Sequence, residues 1–128
     1  MTEKKKLRVL ISDDEAHIRM MLKMTLSSMG AEIVGEAKNG GEAVELFKKT
    51  QPNIMLLDVN MPIKTGDQVL KEINPQSSEV CVIMMTSVAD IETIETCINL
   101  GASGYILKDT PLNEMKTMIK EAWANFKK

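Results

Sequence analysis

Five short apolar runs, each followed by a segment with helical spacing, constrain this chain more than any other feature. The runs are Arg8–Ser12, Glu32–Glu36, Asn53–Asp58, Val80–Thr86 and Gly104–Lys108. Unbroken alternation of strand and helix predicts an α/β fold with a parallel sheet covered on both faces. Ile54-Met55-Leu56-Leu57 and Val80-Cys81-Val82-Ile83-Met84-Met85 show no polar alternation. That is the pattern of central strands buried on both sides. The Glu32–Glu36 run carries an acid at each end, as an edge strand does.

Helix signals fall between the runs. Asn39 with Glu42 and Thr65 with Gln68 stand at capping-box spacing. Thr110-Pro111 predicts an N-cap with proline at the first helical position. Gly30 and Gly101 follow apolar helical runs, where C-terminal caps belong. Leu112, Met115, Ile119, Ala122 and Phe126 form a core-facing stripe on the last helix. On the first helix Ile18, Leu22, Leu26 and Met29 form the stripe, with Met21 on its flank. Met20 and Met24 stack beside it; core filling is their expected role, and a methionine-rich docking surface is the alternative.

A chain of 128 residues, 44% of them hydrophobic, can bury one core and is not disordered. With eleven Met and only four aromatic residues, that core is aliphatic and sulfur-rich. A formal net charge of -2 gives no pull towards nucleic acid or an anionic membrane. Lys4, Lys5 and Lys6 read as a solvated tail, so residues 1–6 are expected to be a basic N-terminal tail and 7–128 a single domain. Cys81 and Cys97 lie apart in apolar settings and are expected to be buried free thiols. With no signal peptide and no membrane-length apolar stretch, a cytoplasmic location is expected.

Ligands of open parallel sheets bind outside the carboxyl ends of the strands. There the sequence delivers Asp13, Asp14 and Glu15 after the first run, Asp58 after the third, Thr86 and Ser87 after the fourth, and Lys108 after the fifth. Each has an ordinary reading alone: Asp13 or Asp14 as a helix cap, Asp58 as a turn residue, Thr86 as a strand end, Lys108 as a solvated cation. All four ordinary readings must hold on one edge at once for the site to be accidental. Clustered carboxylates repel and raise one another's pKa, which a hard divalent cation such as Mg²⁺ relieves. No His/Cys cluster suggests zinc. Lys108 and the Thr86 hydroxyl could meet the remaining charge of a phosphoryl group, and Asp58 could be the nucleophile that takes it.

In combination, Asp13-Asp14, Asp58-Val-Asn-Met61-Pro62 with Gly66, Thr86, and Gly104-Tyr105-Ile-Leu-Lys108 make the chain resemble the receiver domain of bacterial two-component response regulators, in particular the stand-alone chemotaxis regulators, from about Leu7 to Phe126. The resemblance implies a flavodoxin-like (βα)5 three-layer sandwich with a five-stranded parallel sheet of order 2-1-3-4-5; that order comes with the family. It implies a phosphorylation-activated switch whose Asp58 accepts phosphate from a sensor histidine kinase or a histidine phosphotransfer protein. Asp14, Asp58 and the Asn60 carbonyl would ligate Mg²⁺, with Asp13 acting through water. Lys108 would pair with the phosphoryl oxygens, and Thr86 and Tyr105 would move inward on activation. Such a chain is no enzyme beyond its own phosphorylation and dephosphorylation. It is expected to be a monomer that inserts in no membrane, contacts no nucleic acid directly and signals to a downstream effector protein through its fourth helix, fifth strand and fifth helix. The initial Met1 favours a stand-alone protein over an excised receiver.

Asp109 departs from the family, in which proline, often in a cis bond, is common after the lysine. A non-proline cis bond costs roughly 3 kcal/mol, so a trans bond or a strained one is expected. Asn60 and Val88 occupy positions that tune phosphate lifetime; Val88 cannot orient water, so self-dephosphorylation should be slow. His17, the single histidine, reads as a solvent-facing helical residue, which places a phosphohistidine donor on another protein. Trp123 suggests no chemistry. Three rivals remain: an FMN-binding flavodoxin-like redox carrier, disfavoured by the acids of the first loop; an aspartyl-phosphate hydrolase, lacking a second acid near Asp58; and a non-phosphorylated pseudo-receiver scaffold, disfavoured by the complete acid, Thr and Lys set.

Overall fold

The computed structural model describes residues 6–87 and 90–127. Lys4, Lys5 and Val88 lie outside them. The elements run β1 (Arg8–Ser12), α1 (Ala16–Ser28), β2 (Glu32–Ala37), α2 (Gly40–Thr50), β3 (Ile54–Asp58), α3 (Gly66–Ile73), α4 (Pro75–Ser78), β4 (Cys81–Thr86), α5 (Ile91–Asn99), β5 (Gly104–Leu107) and α6 (Leu112–Lys127). All five strands are parallel, in the order β2-β1-β3-β4-β5. The chain reverses its direction of travel across the sheet between β1 and β3, which places their carboxyl ends side by side at the switch point.

Alternate residues of each strand feed two cores. Leu10, Met55, Leu57, Val82 and Met84 pack under α2, α3 and α5. Val9, Ile11, Leu56, Ile83 and Met85 pack under α1 and α6. The two runs without alternation are the two strands buried throughout, β3 and β4. The acid-flanked run is an edge strand, β2, carrying one register shift opposite Val9/Leu10.

Most caps follow the sequence. Asn39 Oδ1 accepts the Glu42 amide at 2.8 Å, and Glu42 Oε1 reaches back to the Lys38 amide, one residue beyond the usual box. Gln68 Oε1 accepts the Thr65 amide at 2.9 Å. Gly30 and Gly101 have φ of 80° and 108° and close α1 and α5. Ala31 and Ala102 then donate to Leu26 O and Cys97 O, each at 3.0 Å, as C-terminal caps require. Both cysteines are buried and free.

Four expectations change. Helix α6 begins at Leu112, with Pro111 O accepting from Met115 N, one residue later than a Thr110 cap implies. Leu112 precedes the part of α6 that lies on the sheet and is exposed, so the stripe starts at Met115. Met20 and Met24 are 61% and 66% exposed rather than core, because Ile18, Leu22 and Leu26 already fill the buried face of α1. The α4 turn has no forecast in the periodicity: Asn74 turns left-handed (φ 47°), ends α3, and Pro75 starts a new turn.

Leu56, fully buried in the central strand, should cost about 2–5 kcal/mol when cut to Ala, whereas Met24→Ala should stay within about 0.5 kcal/mol. Urea denaturation of the two variants checks the assigned layers; comparable losses would contradict them.

Candidate functional site

The site is made by strand ends. Asp13 N donates to Ala37 O at 3.0 Å, so β1 is still tied to β2 where its acid emerges. Asp58 is the last residue of β3 and pairs with Met85, and Val59 N donates to Met85 O at 3.0 Å. Register pairs Ser12 with Leu57, which brings Asp13 level with Asp58. Both are buried, while Asp14 faces solvent. Oxygens of Asp13, Asp14 and Asp58 lie within 4.8 Å of one another.

Lys108 enters from the far side. Its amide donates to Thr86 O at 2.8 Å, which fixes the residue after β5. Its Nζ lies 2.9 Å from Asp13 Oδ2, 3.1 Å from Asp58 Oδ2 and 3.1 Å from Glu15 Oε1. The Lys108–Asp109 bond is trans, no cis bond occurring among the described residues, and the lysine reaches the acids without one. Proline after the lysine is therefore not needed to bring it there.

Charge is unbalanced. One ammonium faces the three carboxylates of the cluster. Burial, then the Asp13 charge, pushes Asp58 up to about 6, against the lowering pull of Lys108 and the Asn60 amide. Burial alone would depress the Lys108 ammonium, but contacts with Asp13 and Asp58 outweigh it and raise its pKa. Asp13 Oδ1 accepts the Glu15 amide at 2.9 Å, yet buried Oδ2 has the Lys108 charge beside it and no directed hydrogen bond. The donor set is all oxygen, two of its members are buried, and it is short of positive charge. A hard divalent cation fits it.

The ordinary readings fare unevenly. The N-cap of α1 is Glu15, with no side-chain cap, so neither Asp13 nor Asp14 caps that helix. Asp58 does make a turn-like bond, Oδ1 accepting from Asn60 N at 3.1 Å, but its buried Oδ2 faces Lys108. Thr86 is buried at the end of β4, and Tyr105 on β5 is 42% exposed. A cleft of about 360 Å³ opens beside Thr86, lined also by Asn60, Thr65, Asp67 and Asp90. Gly66 lies so close to Asp58 O that a Cβ there would come within 2.7 Å.

Sequence reasoning placed Glu15 on this edge without giving it a role, and it missed Arg19. Glu15 shares the Lys108 ammonium, and Arg19 Nη1 donates to Asp13 O at 2.7 Å while its Nε faces Glu36 at 3.4 Å. Arg19 stands one helical turn past the loop, where no local pattern separates it from a solvated cation.

In chelator-treated protein Asp58 titrates near 6 when folded and near 3.8 when unfolded. Between those values the folded state holds the extra proton, so this group's contribution to stability falls as pH rises through the window. Asp58→Asn should therefore be more stable than the parent at pH 7, on the order of 1–2 kcal/mol, and the gap should close towards pH 4. Urea denaturation at several pH values reads it; a parent at least as stable at pH 7 contradicts the burial argument.

A model of the response regulator receiver domain matches residues 9–120. The chemotaxis protein CheY of Thermotoga maritima is 39% identical over 101 residues, 79% of this chain and 84% of that protein. The receiver domain of the response regulator NarL from Mycobacterium tuberculosis superposes with a TM-score of 0.88 at 29% identity, covering 94% of this chain and 98% of that one. CheY in a CheX–CheY–BeF3–Mg complex from Borrelia burgdorferi superposes at 0.86 with 26% identity, covering 91% and 89%. Against longer curated relatives the chain spans 25% to 53% of their length. Sheet order, strand-end chemistry and sequence similarity over most of the chain agree: it belongs to the response regulator receiver domains of two-component signalling.

Proposed function

We propose that Asp58 accepts a phosphoryl group from the phosphohistidine of a sensor kinase or phosphotransfer protein, and that this switches the binding of an effector protein. The observation that carries the reading is the buried Asp58 carboxylate, 3.1 Å from Lys108 Nζ and sharing a 4.8 Å cluster with Asp13 and Asp14. Transfer of this kind demands positioning and charge neutralisation more than a covalent base. Asp13, Asp14, Asp58 and the Asn60 carbonyl would hold Mg²⁺, which when bound offsets the phosphoryl charge. Asp58 supplies the attacking oxygen. Lys108, already the counter-charge to Asp58, pairs with the incoming phosphoryl oxygens. A related CheY, from Borrelia burgdorferi, has been solved in a complex with CheX, BeF3 and Mg.

The response follows from charge. A phosphorylated Asp58 adds negative charge beside Thr86, which moves inward to donate to it, and Tyr105 follows from its exposed position. Ile91, Ile98, Tyr105 and Leu112 are exposed apolar groups on α5, β5 and α6, a surface suited to an effector. This is the fourth-helix, fifth-strand, fifth-helix surface of the sequence reading, with the numbers advanced by the α4 turn. Exposed Met20 and Met24 on α1 suit the docking of the phosphodonor. The acids of the first loop oppose a flavin phosphate, and the assembled Lys108 site opposes an inert scaffold.

Acetyl phosphate with Mg²⁺ should add one acid-labile, hydroxylamine-labile phosphoryl group, read by intact mass. Asp58→Asn should take none and Lys108→Ala should react far more slowly; labelling that survives in Asp58→Asn sinks the assignment. Met20→Glu should leave acetyl phosphate labelling unchanged but slow transfer from a cognate phosphohistidine protein by roughly tenfold or more, as a charge set into an apolar contact does. Equal transfer rates would remove α1 from the docking surface.

A further inference from the structure

The loop between β3 and α3 rests on the first residue of α2. Gly40 N donates to Pro62 O at 3.2 Å, and Lys64 N donates to the same carbonyl at 2.9 Å. Between them Ile63 has φ 74°. A bond from residue i+2 back to i around such a φ is the rare, strained form of γ-turn, and a β-branched residue makes it costlier. A Cβ on Gly40 would lie 2.1 Å from Lys64 O, 2.4 Å from Lys64 Cβ and 2.6 Å from Lys64 C. Backbone atoms cannot yield as a side-chain tip can, so the loop itself would have to move.

Gly40 has no conformational need to be glycine. Its φ is not left-handed, and in a helix alanine is preferred to glycine. The bare Cα serves the loop and not the helix. Gly41 is a built-in contrast: a Cβ there would meet Asn39 Oδ1 at 3.2 Å and Ile63 Cγ2 at 3.4 Å, both side-chain ends.

The same loop carries the site. Its base holds Asn60, whose amide donates to Asp58 Oδ1 at 3.1 Å. Its far end returns to the first residue after β3, where Gly66 N donates to Val59 O at 2.8 Å. The segment is thus pinned at both ends beside Asp58 and at its tip on Gly40. Displacing the tip pulls on the segment that orients the Asp58 carboxylate and the Asn60 carbonyl.

We propose that Gly40 is a positioning residue for the metal site: its missing side chain seats the β3–α3 loop and thereby sets Mg²⁺ affinity and, through it, the phosphorylation rate of Asp58. This rests on the phosphoacceptor reading above. It makes the N-terminus of α2 a point from which the site can be loosened without touching any of its ligands.

The test compares the parent protein, Gly40→Ala and Gly41→Ala, using Mg²⁺ alone as titrant, read by calorimetry and amide NMR. Gly40→Ala should keep its helical circular dichroism and raise the Mg²⁺ dissociation constant by roughly tenfold, the scale on which loss of ligand support acts. Labelling by acetyl phosphate should slow at limiting Mg²⁺ and recover at saturating Mg²⁺, while Gly41→Ala behaves as the parent. Mg²⁺ binding also refolds a partly unfolded chain, so the comparison is made where circular dichroism shows Gly40→Ala fully folded without Mg²⁺. By reciprocity, Mg²⁺ should also slow hydrogen exchange of the Gly40 amide in the unmodified protein. That measurement decides the matter if Gly40→Ala does not fold, and exchange indifferent to Mg²⁺ then overturns the inference. A folded Gly40→Ala with parental Mg²⁺ affinity overturns it outright while leaving the phosphoacceptor reading intact. A parent protein that neither binds Mg²⁺ nor takes phosphate overturns that reading, and this inference with it.

Discussion

The ammonium of Lys108, held 2.9 Å from Asp13 and 3.1 Å from Asp58, is the contact on which the rest of the site depends. Two carboxylates buried side by side cannot both stay ionised cheaply without a cation between them. Lys108 supplies one charge, and that is not enough: Asp58 remains pushed up to about 6. The site is left short of positive charge at the end of a rigid sheet. Such a place favours a divalent cation and reacts strongly to any further change of charge, and both properties suit a switch of the receiver family.

The sheet earns this arrangement through its order. Placing β1 beside β3 aligns Asp13 with Asp58, and placing β5 beside β4 lets the Lys108 backbone anchor on Thr86 while its side chain reaches across. Helices on both faces bury β3 and β4 throughout and nearly all of β1, so the acids emerge from a core that cannot shift to relieve them. Around that core the loops are held by specific contacts: Arg19 on the Asp13 carbonyl, Glu15 on Lys108, and the γ-turn at Ile63 on the start of α2.

Much of this was legible beforehand for definite reasons. Strand positions follow from apolar runs whose polar neighbours stop them, and both glycine caps follow from helical runs that end at Gly30 and Gly101. The acids, Thr86 and Lys108 were legible because they stand directly after strands, where backbone direction leaves little choice of location. What failed was finer. Met20 and Met24 share the helical spacing of their buried neighbours, and hydrophobicity does not say which of two adjacent stripes meets the sheet. Leu112 continues a valid stripe but starts before the sheet does. The roles of Arg19 and Glu15 depend on contacts between elements, and Gly40 looks like one more glycine at a helix start.

The sequence by itself determined the strand–helix alternation apart from the α4 turn, the two fully buried strands and the edge strand, and the identity of the charged residues at the strand ends, because each depends on local periodicity or immediate adjacency. The 2-1-3-4-5 order came only by resemblance, since no local pattern says which strands are neighbours. Only the tertiary structure decided that Asp13 is buried while Asp14 is exposed, that Lys108 reaches both acids from a trans peptide bond, and that the bare Cα of Gly40 seats the loop beside Asp58. Those are matters of distance between segments far apart in the chain, and packing sets them where spacing along the chain cannot.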